Sequence, residues 1–334
     1  MATVAVVGAG SLQGRELLTE LEPRRGVDRL VLLSEKAGGT ELPFRGSDLV
    51  VEELDEDSVK ERPDVVFFTS GAARAKRWAP RFVAAGSRVV DLSSAHRLDP
   101  NVPLVGLAGA VSASGNAKLK AVPGAASLAA ARVLAPLFTK GSPSARLDAT
   151  LLVPVSGAGQ AGVLELSRQT AALLGGRPAR SRTFSHRIAF NLVPEVGGEA
   201  TSTAGDTGLE RSFRAELRRL WSLPILPIAV TAVRVPVFFG LSMVLSGSSG
   251  DPQAPAALSK ALGSDHGGVK LLDRSWQSGQ PGAFPMPLLT VGDSSVLVGR
   301  IRSDEGGGFQ LFATVDALKL VAECAVSAGL GEAH

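Results

Sequence analysis

Val4-Ala5-Val6-Val7-Gly8-Ala9-Gly10-Ser11-Leu12-Gln13-Gly14 joins an unbroken apolar run to a glycine turn and then to the start of a helical pattern. Four apolar residues in succession suit a strand buried on both faces, as in a parallel sheet covered by helices. Gly8, Gly10 and Gly14 recur at the spacing of a dinucleotide-binding turn, with Ser11, Leu12 and Gln13 opening the helix. Glycine lets backbone N–H groups come close to a pyrophosphate, and the helix N-terminus adds partial positive charge. The same glycines also allow tight helix-to-strand packing, so the pattern predicts the turn and leaves bound nucleotide as one of two readings. A second strand ends at Leu33 and is followed by Ser34, Glu35 and Lys36. Lys36 suits a 2′-phosphate and Glu35 a plain ribose hydroxyl, and the segment leans towards NADP.

Outward from this turn, strand-length apolar runs at residues 4–7, 30–33, 65–68 and 89–92 alternate with helical patterns at 12–21 and 72–85. That order predicts βαβ units and a parallel sheet, hence an α/β fold. Beyond about residue 140 the pattern changes. Longer strands are expected at 147–155, 228–239 and 243–246, with a helix at 162–174, and they predict a larger mixed or antiparallel sheet. A terminal helix at 316–328 is expected to dock back on the first domain. The resulting division is residues 1–125 with 314–334 as one domain and 126–313 as the other.

Composition narrows the function classes. The 334 residues carry 35 Lys+Arg against 32 Asp+Glu, and the basic residues are scattered, so nucleic acid is not an implied partner. The densest basic stretch, Arg177, Arg180, Arg182 and Arg187 around Phe184, reads as a solvated loop over an anion site. Cys324 is the one cysteine, and His96, His186, His266 and His334 lack ligand spacing, so neither a disulfide nor a metal site is expected. The most apolar stretch, 223–233, is interrupted by Pro224 and Pro227 and falls short of the roughly 20 residues of a membrane span. With no signal-peptide pattern at the start, a cytoplasmic protein is expected.

Six blocks, in order, carry a resemblance. They are 4–9 with 14–18, Asp91-Leu92-Ser93-Ser94-Ala95-His96-Arg97, Val155-Ser156-Gly157-Ala158-Gly159, Ile188-Ala189-Phe190-Asn191-Leu192-Val193-Pro194, Arg234-Val235-Pro236-Val237-Phe238, and Val298-Gly299-Arg300-Ile301-Arg302. The chain resembles the aspartate-semialdehyde dehydrogenase family over nearly its whole length. That resemblance implies an N-terminal Rossmann-type dinucleotide-binding domain, an α+β semialdehyde-dehydrogenase-type dimerisation domain, NADP as cofactor and a homodimer.

The family attacks its aldehyde with a cysteine thiolate at a helix start, and the resemblance puts Ala125 there. It puts Val153 at the glutamine that orients the intermediate, Leu241 at the acid/base histidine, and Ala325 at an asparagine near the nicotinamide. The Pro-Glu-Val-Asn segment becomes Leu107-Ala108-Gly109-Ala110, and the Glu and Lys of the substrate pocket become Leu209 and Ser212. Kept are Arg97, in the phosphate-binding segment, and Arg234, the carboxylate-binding arginine. The Usg-1-like proteins, relatives without the catalytic cysteine, are the nearest subset. N-acetyl-glutamyl-phosphate reductase is a more distant relative, its Pro-Gly-Cys echoed by Pro123-Gly124-Ala125. The expected function is a catalytically silent scaffold or a sensor of NADP or an acidic metabolite, with an unidentified protein partner as one role. The alternative is an altered NADP-dependent oxidoreductase acting on a small acidic aldehyde or acyl phosphate.

Overall fold

The computed structural model describes residues 2–35, 39–106, 117–138, 144–197, 205–263, 267–272 and 284–331. They fall into two compact units, Met1–Gly124 with Val321–His334, and Ala125–Leu320.

The first unit is built on a seven-stranded sheet in the order β3-β4-β2-β1-β5-β6-β7. Its strands are β1 (Ala2–Val7), β2 (Val27–Ser34), β3 (Glu41–Phe44), β4 (Ser47–Glu53), β5 (Val65–Phe68), β6 (Arg88–Asp91) and β7 (Leu119–Ala121). All neighbours pair in parallel except β3 with β4. Val4 to Val7 and Val65 to Phe68 are inaccessible to solvent, as their unbroken apolar runs require of strands covered on both faces. Helices α1 (Leu12–Leu21) and α3 (Ala72–Ala85) take the expected bounds, and the short α2 (Glu56–Lys60) lies between β4 and β5.

The β3–β4 hairpin is not foreseen by the sequence. Phe44 pairs with Ser47 across a two-residue turn in which Arg45 and Gly46 both have positive φ, 48° and 78°. Such turns favour Asn-Gly. Here the Arg45 guanidinium donates to the carbonyls of Leu21, Glu22, Arg24 and Val27 at 2.5 to 3.2 Å, capping the end of α1. Charge-assisted bonds to these carbonyls at and just beyond the helix end hold the arginine in a conformation that costs about 1–2 kcal/mol.

The second unit holds a mixed six-stranded sheet in the order β11-β12-β13-β10-β8-β9. Its strands are β8 (Arg146–Val153), β9 (Ile228–Arg234), β10 (Leu241–Ser248), β11 (Val269–Leu271), β12 (Val296–Ser303) and β13 (Phe309–Val315). The expected long strand over 228–239 stops at Arg234, because Pro236 has no N–H to continue the ladder. Helices α4 (Ala125–Phe138), α5 (Gly159–Leu174), α6 (Gly208–Leu220) and α7 (Ala254–Gly263) accompany this sheet. Phe138 stacks on Trp221 at 4.8 Å and meets Phe309 edge-on at 6.2 Å, which ties α4 and α6 to β13. The terminal helix α8 (Ala317–Leu330) carries Gly329, where an added Cβ would lie 2.7 Å from the Phe67 ring. No described helix is long and apolar enough to cross a membrane.

Candidate functional site

In the first unit β1, β2, β5 and β6 end level with one another, Val7 opposite Leu33 and Phe68, and Phe68 opposite Asp91. Ligands of open parallel sheets bind at such a carboxyl edge. The glycine turn sits on it. Gly8 has φ +92°, and a Cβ on Gly14 would fall 2.5 Å from the Gly8 carbonyl oxygen, so both positions require glycine. Gly10 has nothing within 4 Å of where its Cβ would be, which leaves that part of the turn open. Ser11 caps α1, its hydroxyl accepting from Gly14 N–H at 2.9 Å, so Leu12 and Gln13 begin the helix as expected.

Ser70, at the end of β5, packs over Gly8: a Cβ on Gly8 would approach the Ser70 Cβ to 3.0 Å. The Ser70 hydroxyl is buried and, among the described residues, has no hydrogen-bond partner. An orphaned hydroxyl beside an open glycine turn is what a site awaiting a polar ligand presents. Sequence reasoning missed it, since a serine after a strand is an ordinary loop residue.

At the end of β2, Glu35 turns to α3. Its carboxylate accepts from Arg74 Nε at 2.8 Å and from Trp78 Nε1 at 3.1 Å. These bonds, Arg74 first, hold the Glu35 carboxyl below the usual carboxylate range. Ser34 ends β2 beside it. Lys36 lies outside the described residues, as do Leu107, Ala108, Gly109 and Ala110.

Beyond β6, Asp91 is fully buried and accepts from Ser93 N–H at 2.8 Å and from His96 Nδ1 at 2.7 Å. Arg97 donates through Nε to the Val122 carbonyl at 2.9 Å and through Nη2 to the Leu92 carbonyl at 2.8 Å. These two bonds brace the Asp91–Arg97 turn against the segment after β7. Expected as an anion ligand, Arg97 thus has a structural task as well.

In the second unit the register assembles the other positions. Val153 pairs with Arg234 across β8 and β9, Leu152 with Ser242 across β8 and β10, and Leu241 with Val315 across β10 and β13. Arg234, Val153, Leu241 and Val315 therefore form one row at one end of the sheet. All four are buried, and Arg234 is the only ionisable member. Ala125 opens α4 and is partly exposed, whereas Ser127, the nearest hydroxyl, is 2% exposed inside the helix. Leu209 and Ser212 lie in the first turns of α6, and Ala325 is buried in α8.

Arg234 has an unusual setting. It donates from Nη1 to the Pro154 carbonyl at 2.7 Å and lies over the Phe184 ring at 5.6 Å. Among the described residues no carboxylate pairs with it. Burial alone lowers its pKa to about 10, the mark of a cation that has lost water without gaining a counter-charge. Gly157 makes room for it, since a Cβ there would meet Nη1 at 2.8 Å.

The ring under Arg234 is held by α5. Glu165, 6% exposed, accepts from the N–H groups of Arg182, Thr183 and Phe184 at 3.0, 2.5 and 3.4 Å. Gln169, one turn on, donates to Glu165 at 3.1 Å and accepts from the N–H groups of Ile188 and Ala189 at 2.9 and 3.1 Å. The arginine-rich loop is solvated, as expected, but its backbone is anchored by this buried pair. The sequence reading gave neither Glu165 nor Gln169 a role.

Residues 3–108 match the semialdehyde dehydrogenase NAD binding domain, and residues 134–319 match the semialdehyde dehydrogenase dimerisation domain. The chain belongs to the semialdehyde dehydrogenase family. An aspartate-semialdehyde dehydrogenase of Aquifex aeolicus is 33% identical over 307 residues, 90% of this chain and 88% of its own. A USG-1 protein homolog of Azotobacter vinelandii is 38% identical over 270 residues, 78% of this chain and 77% of its own. Among solved structures, aspartate semialdehyde dehydrogenase II of Vibrio cholerae complexed with ASA superposes with a TM-score of 0.88 at 30% identity, covering 98% of this chain and 97% of that one. The α/β reading with two domains of these kinds is thereby borne out. In this semialdehyde dehydrogenase homologue the buried row holds one arginine and is otherwise apolar.

Proposed function

We propose that this protein is a catalytically silent semialdehyde dehydrogenase homologue that binds a small anion at Arg234 and NADP at the glycine turn, as a homodimeric scaffold or sensor. The observation that carries this reading is the buried row, where a guanidinium with no counter-charge among the described residues stands between side chains that cannot move a proton. The first unit fits a dinucleotide: Gly8 and Gly10 would admit a pyrophosphate, the start of α1 would supply N–H donors, and the orphaned Ser70 hydroxyl lacks the partner that a ligand would give it. NADP would supply a hydride acceptor or donor there. Sensing needs no more than its binding.

The test of the anion site is thermal unfolding in phosphate against chloride at equal ionic strength. Phosphate is expected to raise the melting temperature along a saturating curve, and Arg234→Met to reduce that rise. Ligand at 100 times its Kd adds about 2.7 kcal/mol to stability. An identical phosphate response in wild type and variant would refute the assignment.

The homodimer is read from the dimerisation-domain match together with apolar side chains left in solvent. Phe190 and Leu192 are 64% and 60% exposed, and Phe190 is held at φ +56°. A large exposed aromatic in strained backbone is a feature that a partner surface explains. Sedimentation at micromolar concentration should show a dimer, and Phe190→Asp with Leu192→Asp should yield monomer. A monomeric wild type would count against it.

The oxidoreductase alternative has one observation in its favour, the imidazole of His96 oriented by buried Asp91 in the manner of an acid/base pair. The turnover measurements in the Discussion decide between the two.

A further inference from the structure

Beside the glycine turn, the first unit holds a cavity of about 390 Å³ lined by Glu35, Gly71, Ala72, Ala73, Arg74 and Arg77. Among the described residues two guanidinium groups and one carboxylate line it, one positive charge in excess. Glu35 stands where an acceptor for a ribose 2′-hydroxyl is expected, at the end of the second strand. Yet both of its oxygens already accept, one from Arg74 Nε and the other from Trp78 Nε1. Trp78 is 4% exposed and is covered by the guanidinium groups of Arg77 and Arg81 at 5.0 and 4.8 Å. The carboxylate is thus fastened to a fixed indole.

Arg74 meets Glu35 through Nε, and among the described residues its terminal nitrogens have no hydrogen-bond partner. Arg77 is 3.9 Å from Glu35, long for a hydrogen bond, and its side chain is 62% exposed. The donors facing the cavity therefore belong to α3, one turn apart on one helix face. An arginine fork matches a phosphate monoester bidentately, and a second cation balances its second charge.

We propose that Arg74 and Arg77 bind the 2′-phosphate of an NADP-type nucleotide, with Glu35 as a positioning residue that aims Arg74, so that α3 discriminates 2′-phosphate from 2′-hydroxyl. This rests on the reading of the glycine turn as a dinucleotide site. Lys36 was the discriminating residue expected from sequence, and the arginines lie 38 and 41 positions further on.

The experiment is calorimetric titration of the full chain with NADP, NAD and 2′,5′-ADP, with melting temperature as the folding control. Wild type should prefer NADP to NAD by about tenfold or more, the worth of one charge-assisted bond. Arg77→Gln, at an exposed position, should lose most of that preference for NADP and 2′,5′-ADP while changing NAD affinity less than about twofold. Arg74→Lys should weaken NADP in the same selective way, because charge stays and the fork goes. Glu35→Gln, which removes charge but keeps an acceptor, should leave NADP bound and should not improve NAD. Equal affinity of wild type for NADP and NAD, or equal loss of both in Arg77→Gln, overturns the proposal. Selectivity abolished by Lys36→Ala alone also overturns it. Failure of every nucleotide to bind wild type refutes the dinucleotide reading itself, and this proposal with it.

Discussion

Wild-type protein is expected to form no NADPH from aspartate semialdehyde, NADP and phosphate above the blank without enzyme. Covalent oxidation of an aldehyde needs a nucleophile, and the residue at the helix start is Ala125, a methyl group. Ser127 cannot replace it, because its side chain is buried inside α4 and among the described residues no imidazole or carboxylate bonds to it. Ala125→Cys should give a thiol at the first residue of α4, where the helix N-terminus favours thiolate, so alkylation by iodoacetamide should rise. Turnover should remain near the blank. In the buried row, Val153 and Leu241 are apolar at the positions that the resemblance gives to the orienting and acid/base groups, and loss of one acid/base group alone costs roughly 10² to 10⁴ in rate. Groups that act as a unit are not additive, so the series runs from wild type through Ala125→Cys to Ala125→Cys with Val153→Gln and Leu241→His. Burying two polar groups in that apolar row costs about 1–3 kcal/mol each, so a melting curve accompanies the triple variant. Wild-type NADPH formation that survives a contaminant control would sink the silent reading, and its loss in His96→Phe would pass the role to the His96–Asp91 pair.

The parts legible in the sequence are those where one local rule acts alone. The buried parallel strands have unbroken apolar runs, and α1, α3 and β5 take the bounds their periodicity predicts. The β3–β4 hairpin was hidden because its turn is Arg45-Gly46, made tenable only by carbonyls at the end of α1, more than 20 residues away. β12 was read only in part, as a block of family resemblance, since its apolar start gives way to Arg300 and Arg302, and β13 was not read. For the candidate site, resemblance singles out residues such as Arg234 one at a time. That Arg234, Val153 and Leu241 share a row depends on strand register, which no local pattern states. Glu165 and Gln169 sit one helical turn apart and look like a solvated polar stripe. Their burial comes from a loop that folds over them from 11 to 20 positions later in the chain. The sequence offers Glu35 as a choice point between ribose hydroxyl and 2′-phosphate, but its partners Arg74 and Trp78 lie on a different element, which no local pattern shows.

Glu165→Ala is expected to be among the most damaging single changes outside the apolar core, at about 2–3 kcal/mol of unfolding free energy. The substitution removes a buried carboxylate that accepts from three successive backbone N–H groups. Its effect should reach the anion site. Phe184 is the last of those three residues, and its ring supports Arg234, so the phosphate-dependent rise in melting temperature should shrink together with stability. Burial pushes the Glu165 carboxyl up, but the bonds from Thr183, Arg182 and Phe184 outweigh it and leave the pKa below the ordinary 4.5. A carboxyl whose folded pKa is depressed contributes stability that is present above its unfolded value and is lost as pH falls through the folded one. Urea unfolding from pH 7 down into the range below 4.5 should therefore show wild type losing stability in acid. Glu165→Gln, weaker at pH 7, should lose less of what remains. Some acid slope should persist in the variant, because Glu35, Asp55 and Asp293 are depressed in the same direction. An alanine variant within about 0.5 kcal/mol of wild type, the range of an ordinary surface change, would show that the clamp on the arginine loop contributes nothing.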